Sequence, residues 1–241
     1  MQDQTKTIIT EINKLADKPK ADWWNNYLKN TVKFIGVGIP EIRKVLLKQK
    51  SGFENDPQLL EIADELISLK IAEHKLAGVL IYQLFLLDKI ENGIILEHIE
   101  SLFNNGYIYD WNTCDWLCVR VLTPVIDKGE NDDISRILNW NTNENYWHAR
   151  ASLVPFAQCK TLKNHYKNLA IALKNLISRE ERFAKTVVGW VLREISKFDN
   201  DFVSGFLEAN MKTLSKEVIT NSLKYSDKNT KRDFVARWKE L

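Results

Sequence analysis

Apolar residues recur at a helical spacing along nearly the whole chain, and this periodicity restricts its fold more than any other feature. Between residues 59 and 69 they occur three or four positions apart, as on one face of an α-helix. The same spacing returns at residues 76–87, 117–125, 149–156, 169–177, 187–195 and 218–223. With only 9 glycines and 5 prolines in 241 residues, a sandwich or barrel is disfavoured. The sequence therefore predicts an all-α protein.

Short polar breaks separate the helical segments, and they contain the Asn, Asp and Ser residues typical of helix N-caps. Short connections place successive helices as antiparallel neighbours. Helical pairs are predicted to begin near residues 73, 111, 146, 181 and 215, which is 38, 35, 35 and 34 residues apart. We therefore predict a right-handed-type solenoid of antiparallel helical pairs, or HEAT-like repeats. It would form one domain over residues 1–241, with repeat pairs over 71–241 and a less regular N-terminal helical cap over 1–70.

The cysteines and the start of the chain bear on its location. The first residues are polar, and no apolar run approaches the ~18 residues of a membrane span, so neither a signal peptide nor membrane association is expected. Three cysteines, an odd number, favour a reducing compartment, and we expect a cytoplasmic protein with buried thiols. Cys114 and Cys118 are four residues apart, but no second His or Cys pair completes a four-ligand set. No metal or organic cofactor is predicted.

Charge is distributed unevenly along the chain, although its net value is only +2. Residues 151–241 contain 17 lysines and arginines against 10 acidic residues, a net charge of +7. Residues 1–150 contain 17 against 22, a net charge of −5. A basic half indicates a polyanionic partner, although a chance imbalance on solvated helix faces would give the same count.

The segment at residues 111–115 combines an aromatic ring with a carboxylate. Trp111 and Asp115 are four residues apart, so they share one side of a first helical turn. We expect Asn112 or Thr113 to cap that turn. The helix dipole favours the ionised form of an aspartate there. The alternative is an ordinary acid at a helix start beside a packing tryptophan.

Arg150 lies in the middle of an apolar stripe. A buried arginine needs an anionic partner. That partner could be an internal carboxylate or the phosphate of a ligand, which the guanidinium fork fits well.

The segment at residues 181–194 combines basic and aromatic residues. Phe183 and Trp190 are seven residues apart and share a helix face, and Lys185 and Arg193 accompany them. Cations for phosphates and rings for bases or sugars suit a nucleic-acid strand. Gly189 costs a helix about 1 kcal/mol relative to alanine, and such a glycine often marks close helix contact or a cleared space beside a neighbour.

These segments lie about one repeat apart. Trp111, Arg150 and Trp190 are separated by 39 and 40 residues. In a solenoid of helical pairs, one helix of each pair lines the concave face. We therefore expect these three residues and Asp115 to share that face, within reach of one nucleotide.

Together the segments resemble the signature regions of the AlkD-type DNA glycosylases, the HEAT-like repeat family of DNA alkylation repair enzymes. The family pattern W-x-x-x-D is matched by Trp111 and Asp115, and the pattern W-x-x-R-A by residues 147–151. The pattern G-W-V-L-R-E is present unchanged at residues 189–194. Residues 27–43 resemble the family's Y-M-K-N…F-G…P-E-x-R. The resemblance covers most of the chain, in the same order and at nearly the same spacing.

The resemblance implies hydrolysis of the N-glycosidic bond of cationic N3- or N7-alkylated purines in double-stranded DNA, by a monofunctional enzyme that has no base-flipping pocket. Asp115 would position or activate water and stabilise positive charge at the sugar C1′. Trp111 and Trp190 would pack on the deoxyribose of the lesion, and Arg150 would hold the phosphate backbone. Further DNA contacts are expected from Lys185, Arg193, Phe183 and Tyr27. Such a protein can act as a monomer.

The chain departs from the family pattern at two places. Arg182 stands where the best-known members have an aromatic residue, and Gly38-Ile39 replaces a polar pair before Pro40. Two other readings stay open. One is a non-catalytic HEAT-like repeat protein that binds damaged or branched DNA, and the other is a protein-interaction scaffold.

Overall fold

The computed structural model describes residues 1–53 and 56–241. Within these ranges the chain is helical and contains no strand, apart from an isolated β-bridge between Lys33 and Ile71. The prediction of an all-α protein is therefore confirmed. No helix in the described ranges is long and apolar enough to cross a membrane. The chain divides into two compact units, Met1–Val121 and Leu122–Leu241.

The first unit packs its helices around a core of aliphatic residues. Its most enclosed helix is α6, in which every residue is buried, including the charged ones. A π-helical turn, Tyr82–Leu86, continues α6. The helices are α1 (Asp3–Asn13), α2 (Lys18–Tyr27), α3 (Ile39–Lys48), α4 (Lys50–Phe53), α5 (Leu59–Ser68), α6 (Ala72–Ile81), α7 (Asn92–Asn104) and α8 (Trp111–Leu117).

The second unit has α14 as its longest helix, which packs against α11, α13, α15 and α16. Short 3₁₀ segments connect several of its helices, at Trp140–Thr142, Val154–Ala157, Tyr166–Leu169 and Met211–Thr213. The helices are α9 (Thr123–Lys128), α10 (Asn131–Asn139), α11 (Tyr146–Ala151), α12 (Leu162–His165), α13 (Ala170–Ile177), α14 (Arg182–Ile195), α15 (Asn200–Ala209), α16 (Lys216–Ser222) and α17 (Lys228–Lys239).

The predicted starts of the helical pairs agree with the observed helices to within one residue. The predicted positions 73, 111, 146, 181 and 215 correspond to the starts of α6, α8, α11, α14 and α16. Capping explains part of this accuracy, because the polar breaks supply the expected side chains. Asn145 accepts from the Trp147 amide at 3.0 Å at the start of α11, and Ser215 accepts from the Val218 amide at 3.3 Å at the start of α16.

Two apolar stripes that read as continuous helix are interrupted. The stripe at residues 149–156 leaves the α-helix after Ala151 and resumes as a 3₁₀ segment that contains Pro155. The stripe at residues 117–125 passes through a π-helical turn, Cys118–Leu122, before α9 with Pro124. Proline has no amide N–H for the i−4 carbonyl, and its ring crowds that carbonyl. The apolar spacing persists through both segments, but the α-helical hydrogen bonding does not.

Candidate functional site

Helix α8 holds the predicted tryptophan and aspartate of the first unit. It begins at Trp111, and Asp115 lies one turn later, with both side chains half-buried. The N-cap is Asp110, whose carboxylate accepts from the Thr113 amide at 2.9 Å. The prediction that Asn112 or Thr113 caps this turn is wrong, because both residues already lie inside the helix. Asp110 has the extended backbone that an N-cap requires.

A buried lysine contacts the segment that precedes helix α8. Lys75 on α6 is fully buried, and its ammonium donates to the carbonyl oxygens of Ile67 and Tyr107, each at 2.6 Å. It also lies 4.8 Å from the centre of the Tyr109 ring. Burial lowers the pKa of Lys75 to about 8, against the opposing effect of the Asp110 charge. Lys75 therefore fixes the segment that leads into α8 from within the core.

Burial of the Lys75 charge should make its contribution to stability depend on pH. Below pH 8 the lysine is charged in both states, so the folded protein bears the full cost of burying an ammonium. Between pH 8 and the ordinary lysine pKa of 10.5, Lys75 loses its proton in the folded protein but keeps it in the unfolded chain. The cost of burying the ammonium is therefore relieved, and the folded state becomes more stable as the pH rises. Urea unfolding should therefore show the advantage of the wild type over Lys75→Met growing by about 2 kcal/mol between roughly pH 7 and pH 10. A constant difference would contradict this assignment.

A buried carboxylate also holds the loop between α2 and α3. Glu73, 1% exposed, accepts from three successive amides, those of Ile35, Gly36 and Val37, at 2.7–3.1 Å. Successive amides that point into one concavity form an anion-binding nest. Gly36 has φ +88°, and a Cβ there would lie 2.0 Å from the carbonyl oxygen of Asp17. Glycine is therefore required at this position.

Aromatic residues connect that loop to α8. Tyr27, at the end of α2, meets the Trp111 ring edge-on, with 6.0 Å between ring centres. Trp111 also packs against the buried cluster that includes Leu28, Val32 and Phe34. The structure thus brings together two of the predicted site residues, Trp111 and Tyr27, within the first unit.

Arg150 is the central predicted residue of the second unit, and only 5% of its surface is exposed. Its Nη1 donates to the carbonyl oxygen of Phe183 at 2.6 Å and to the hydroxyl oxygen of Thr186 at 3.1 Å. Both acceptors belong to α14, so Arg150 ties α11 to that helix. Trp147 is buried, and its ring is tilted by 30° to that of Phe183, with 5.2 Å between ring centres.

Trp190 lies on helix α14 directly after Gly189, and its side chain is half-buried. A Cβ at Gly189 would lie 3.0 Å from the Val218 carbonyl oxygen of α16. The prediction that this glycine marks close helix contact is therefore confirmed. The indole nitrogen of Trp190 is buried, and it has no hydrogen-bond partner in the described part of the chain. An unsatisfied buried donor is uncommon and requires a partner or an explanation.

The basic residues of α14 differ in their surroundings. Lys185 is half-buried, and it forms no ion pair among the described residues. Arg193 is paired with Glu194 at 2.7 Å, and Lys197 shares the same carboxylate, so the three groups together keep a net positive charge. Arg182 forms two hydrogen bonds to Glu217, at 2.8 and 2.9 Å, and its guanidinium lies 5.1 Å from the centre of the Phe183 ring. The residue that replaces a family aromatic thus covers Phe183 with its cationic group.

The sequence of the chain is similar to a known protein family. The family model described as DNA alkylation repair enzyme matches residues 8–226, which is most of the chain. The chain belongs to the DNA alkylation repair enzyme family. Membership supports an enzymatic role in the repair of alkylated DNA, with DNA as the substrate. No curated protein matches the chain in sequence.

A solved structure with a similar fold has the same description. It is the predicted DNA alkylation repair enzyme from Enterococcus faecalis, with a TM-score of 0.75 and 17% sequence identity. The match covers 88% of this chain and 97% of that one. At that identity the likeness concerns the fold, and it supports the helical-repeat architecture predicted from the sequence.

Cys114, Cys118 and Cys159 form no disulfide and are all buried, as predicted for the first two. Within the described ranges, no three His, Cys, Asp or Glu side chains come together as a possible metal site.

Three charged residues that support the candidate site were not predicted from the sequence. Glu73 and Lys75 stand beside the apolar stripe of α6, and Asp110 directly precedes the motif of α8. Two charged residues within an otherwise apolar helix were the available signal. The groups that Glu73 and Lys75 contact lie 8–38 residues away in sequence. The sequence pattern therefore indicates that the two side chains are buried, but it does not identify their hydrogen-bond partners.

Proposed function

We propose that the chain is a monofunctional DNA glycosylase that hydrolyses the N-glycosidic bond of N3- or N7-alkylated purines in duplex DNA, without flipping the base into a pocket. The pair of Trp111 and Asp115, one turn apart on the anchored helix α8, carries this proposal. A half-buried carboxylate beside an electron-rich ring is suited to stabilising a cationic sugar.

The chemistry needs no strong acid, because an alkyl group on N3 or N7 makes the purine cationic. The bond between C1′ and the purine nitrogen breaks, its electron pair passes to the base, and the base leaves as a neutral molecule. The sugar becomes oxocarbenium-like, which a carboxylate stabilises as in glycoside hydrolysis. Asp115 would accept the proton of the water whose oxygen bonds to C1′. The products are the free base and an abasic site.

The other site residues receive binding roles in this proposal. The ring faces of Trp111 and Trp190 would pack on the deoxyribose of the lesion, where they favour its positive charge. Arg150 would contact the phosphate backbone, held in place by its hydrogen bonds to α14. Further DNA contacts are assigned to Lys185, Arg193, Phe183 and Tyr27. The reaction uses only water as co-substrate, and a single chain would carry it out.

Base release from alkylated DNA tests the proposal. The full chain is incubated with duplex DNA that contains N7-methylguanine, and free base is measured by chromatography. We expect release from this duplex and none from an unmodified duplex of the same sequence. DNA affinity should fall steeply between roughly 50 and 200 mM salt, because phosphate contacts release counterions. Tight, salt-dependent binding without release would favour the non-catalytic DNA-binding alternative. Binding that does not respond to salt would contradict both.

A further inference from the structure

Helix α2 exposes two aromatic rings that stack on one another. Trp23 and Tyr27 are four residues apart and share a helix face. Their ring centres are 5.3 Å apart and their planes differ by 7°. Trp23 is 58% exposed and Tyr27 is 57% exposed. Large rings are usually buried in a folded protein, and a contiguous exposed apolar surface commonly marks a binding site.

The structure behind these rings is fixed. Trp24 meets Trp23 edge-on, with 4.8 Å between ring centres. Trp24 also stacks on the buried ring of Phe34, with 5.7 Å between ring centres. The Asn25 side chain secures that segment, because it accepts from the Phe34 amide and donates to the Phe34 carbonyl oxygen. The exposed stack therefore stands on an ordered base.

The stack is also continuous with the candidate site. Tyr27 contacts the Trp111 ring at 6.0 Å, and Trp111 begins the helix that carries Asp115. Trp23 thus extends by one ring the aromatic surface that starts at Trp111. A ligand on Trp23 would lie beside the candidate site and outside it.

Positive charge follows the stack along the chain. Lys29 and Lys33 are exposed and form no ion pair within the described residues, whereas Lys18 is paired with Asp22. Lys29 and Asn30 also have positive φ angles, 52° and 56°. Non-glycine residues rarely adopt this conformation, and it is concentrated at functional sites. Flat rings followed within six residues of Tyr27 by two cations without ion-pair partners match the chemistry of a nucleobase with its phosphate.

We propose that the Trp23–Tyr27 stack binds an unpaired nucleobase of the DNA, which stacks on the exposed Trp23 ring while Lys29 and Lys33 contact the adjoining phosphates. Only an unpaired base can do this, because in a duplex the faces of each base are covered by its neighbours. This inference rests on the proposed function in taking DNA as the substrate. It adds a site for a base that has left the helix.

Affinity for a bulged duplex tests this site directly. Two duplexes of equal length are compared, one fully paired and one with a single unpaired adenine. Trp23→Ala should weaken binding to the bulged duplex about tenfold and change binding to the paired duplex less than about twofold. Trp23→Phe keeps a flat ring and should retain most of the affinity, whereas Trp23→Leu keeps apolar volume without the ring and should behave like Trp23→Ala. Tyr225→Ala removes an exposed ring elsewhere and should leave the ratio of the two affinities unchanged.

The wild type provides a second measurement that depends on no variant. 2-Aminopurine placed as the unpaired base should lose fluorescence on binding, because stacking on an indole quenches it. Equal losses of affinity on both duplexes, or unchanged fluorescence, would overturn the proposal. These measurements also distinguish a failure of the glycosylase assignment from a failure of the stacking site. A wild type that releases no alkylated base but shows the Trp23-dependent bulge preference loses only the glycosylase assignment. A wild type that releases base without this preference loses only the stacking site.

Discussion

Replacing Asp115 with asparagine is expected to lower the rate of base release from N7-methylguanine DNA by about 10²- to 10³-fold. Asparagine has nearly the same shape but carries no charge. The variant therefore loses both the field that stabilises a cationic sugar and the group that accepts the proton of water. Asp115 is half-buried on a helix whose cap is Asp110, so the fold should be retained, as circular dichroism can verify. Single-turnover release of free base measures the effect.

DNA affinity separates a loss of chemistry from a loss of binding. Removal of a negative charge does not weaken attraction to a polyanion, so Asp115→Asn should bind an unmodified duplex at least as tightly as the wild type. Asp132→Asn makes the same change at an exposed position in the first turn of α10. It should release base at the wild-type rate. Undiminished release by Asp115→Asn would exclude the carboxylate from the reaction.

Helix positions were predictable from the sequence because their determinants are local. Helices α8 and α11 begin where the sequence places them, since a polar break, a capping side chain and an apolar stripe occur within a few residues of each other. The error at the start of α8 has a local cause too. Three residues of capping type, Asp110, Asn112 and Thr113, lie within four positions there, and only the backbone conformation shows that Asp110 is the one outside the helix.

The support of the candidate site was not predictable in this way. Glu73 and Lys75 are buried because tertiary packing encloses α6 on all sides. A single sequence contains no periodic signal for the loop that Glu73 holds or for the carbonyl groups that Lys75 contacts. Arg150 shows the same limit. The sequence indicated that it needs a partner, whereas the observed contacts include neutral oxygens of α14, which no pattern within α11 specifies.

Glu73 has the largest expected effect on stability. Its carboxylate is the common acceptor for the amides of Ile35, Gly36 and Val37. Glutamine keeps one oxygen for these amides but carries no charge, and its NH₂ group would take the place of Oε2 and face the Ile35 N–H. Glu73→Gln should therefore lower the free energy of unfolding by about 2–4 kcal/mol, measured in urea at neutral pH.

A matched surface change and a local readout make that prediction specific. Glu97→Gln makes the same substitution at an exposed position on α7 and should change stability by less than about 0.5 kcal/mol. Hydrogen exchange should accelerate at the amides of residues 35–37 in Glu73→Gln, because these donors lose their charged acceptor. This loop carries Phe34, on which Trp24 stacks, so the variant should also weaken the preference for a bulged duplex. Equal stability losses in the two variants, with exchange at residues 35–37 unchanged, would mean that the buried carboxylate does not hold the loop.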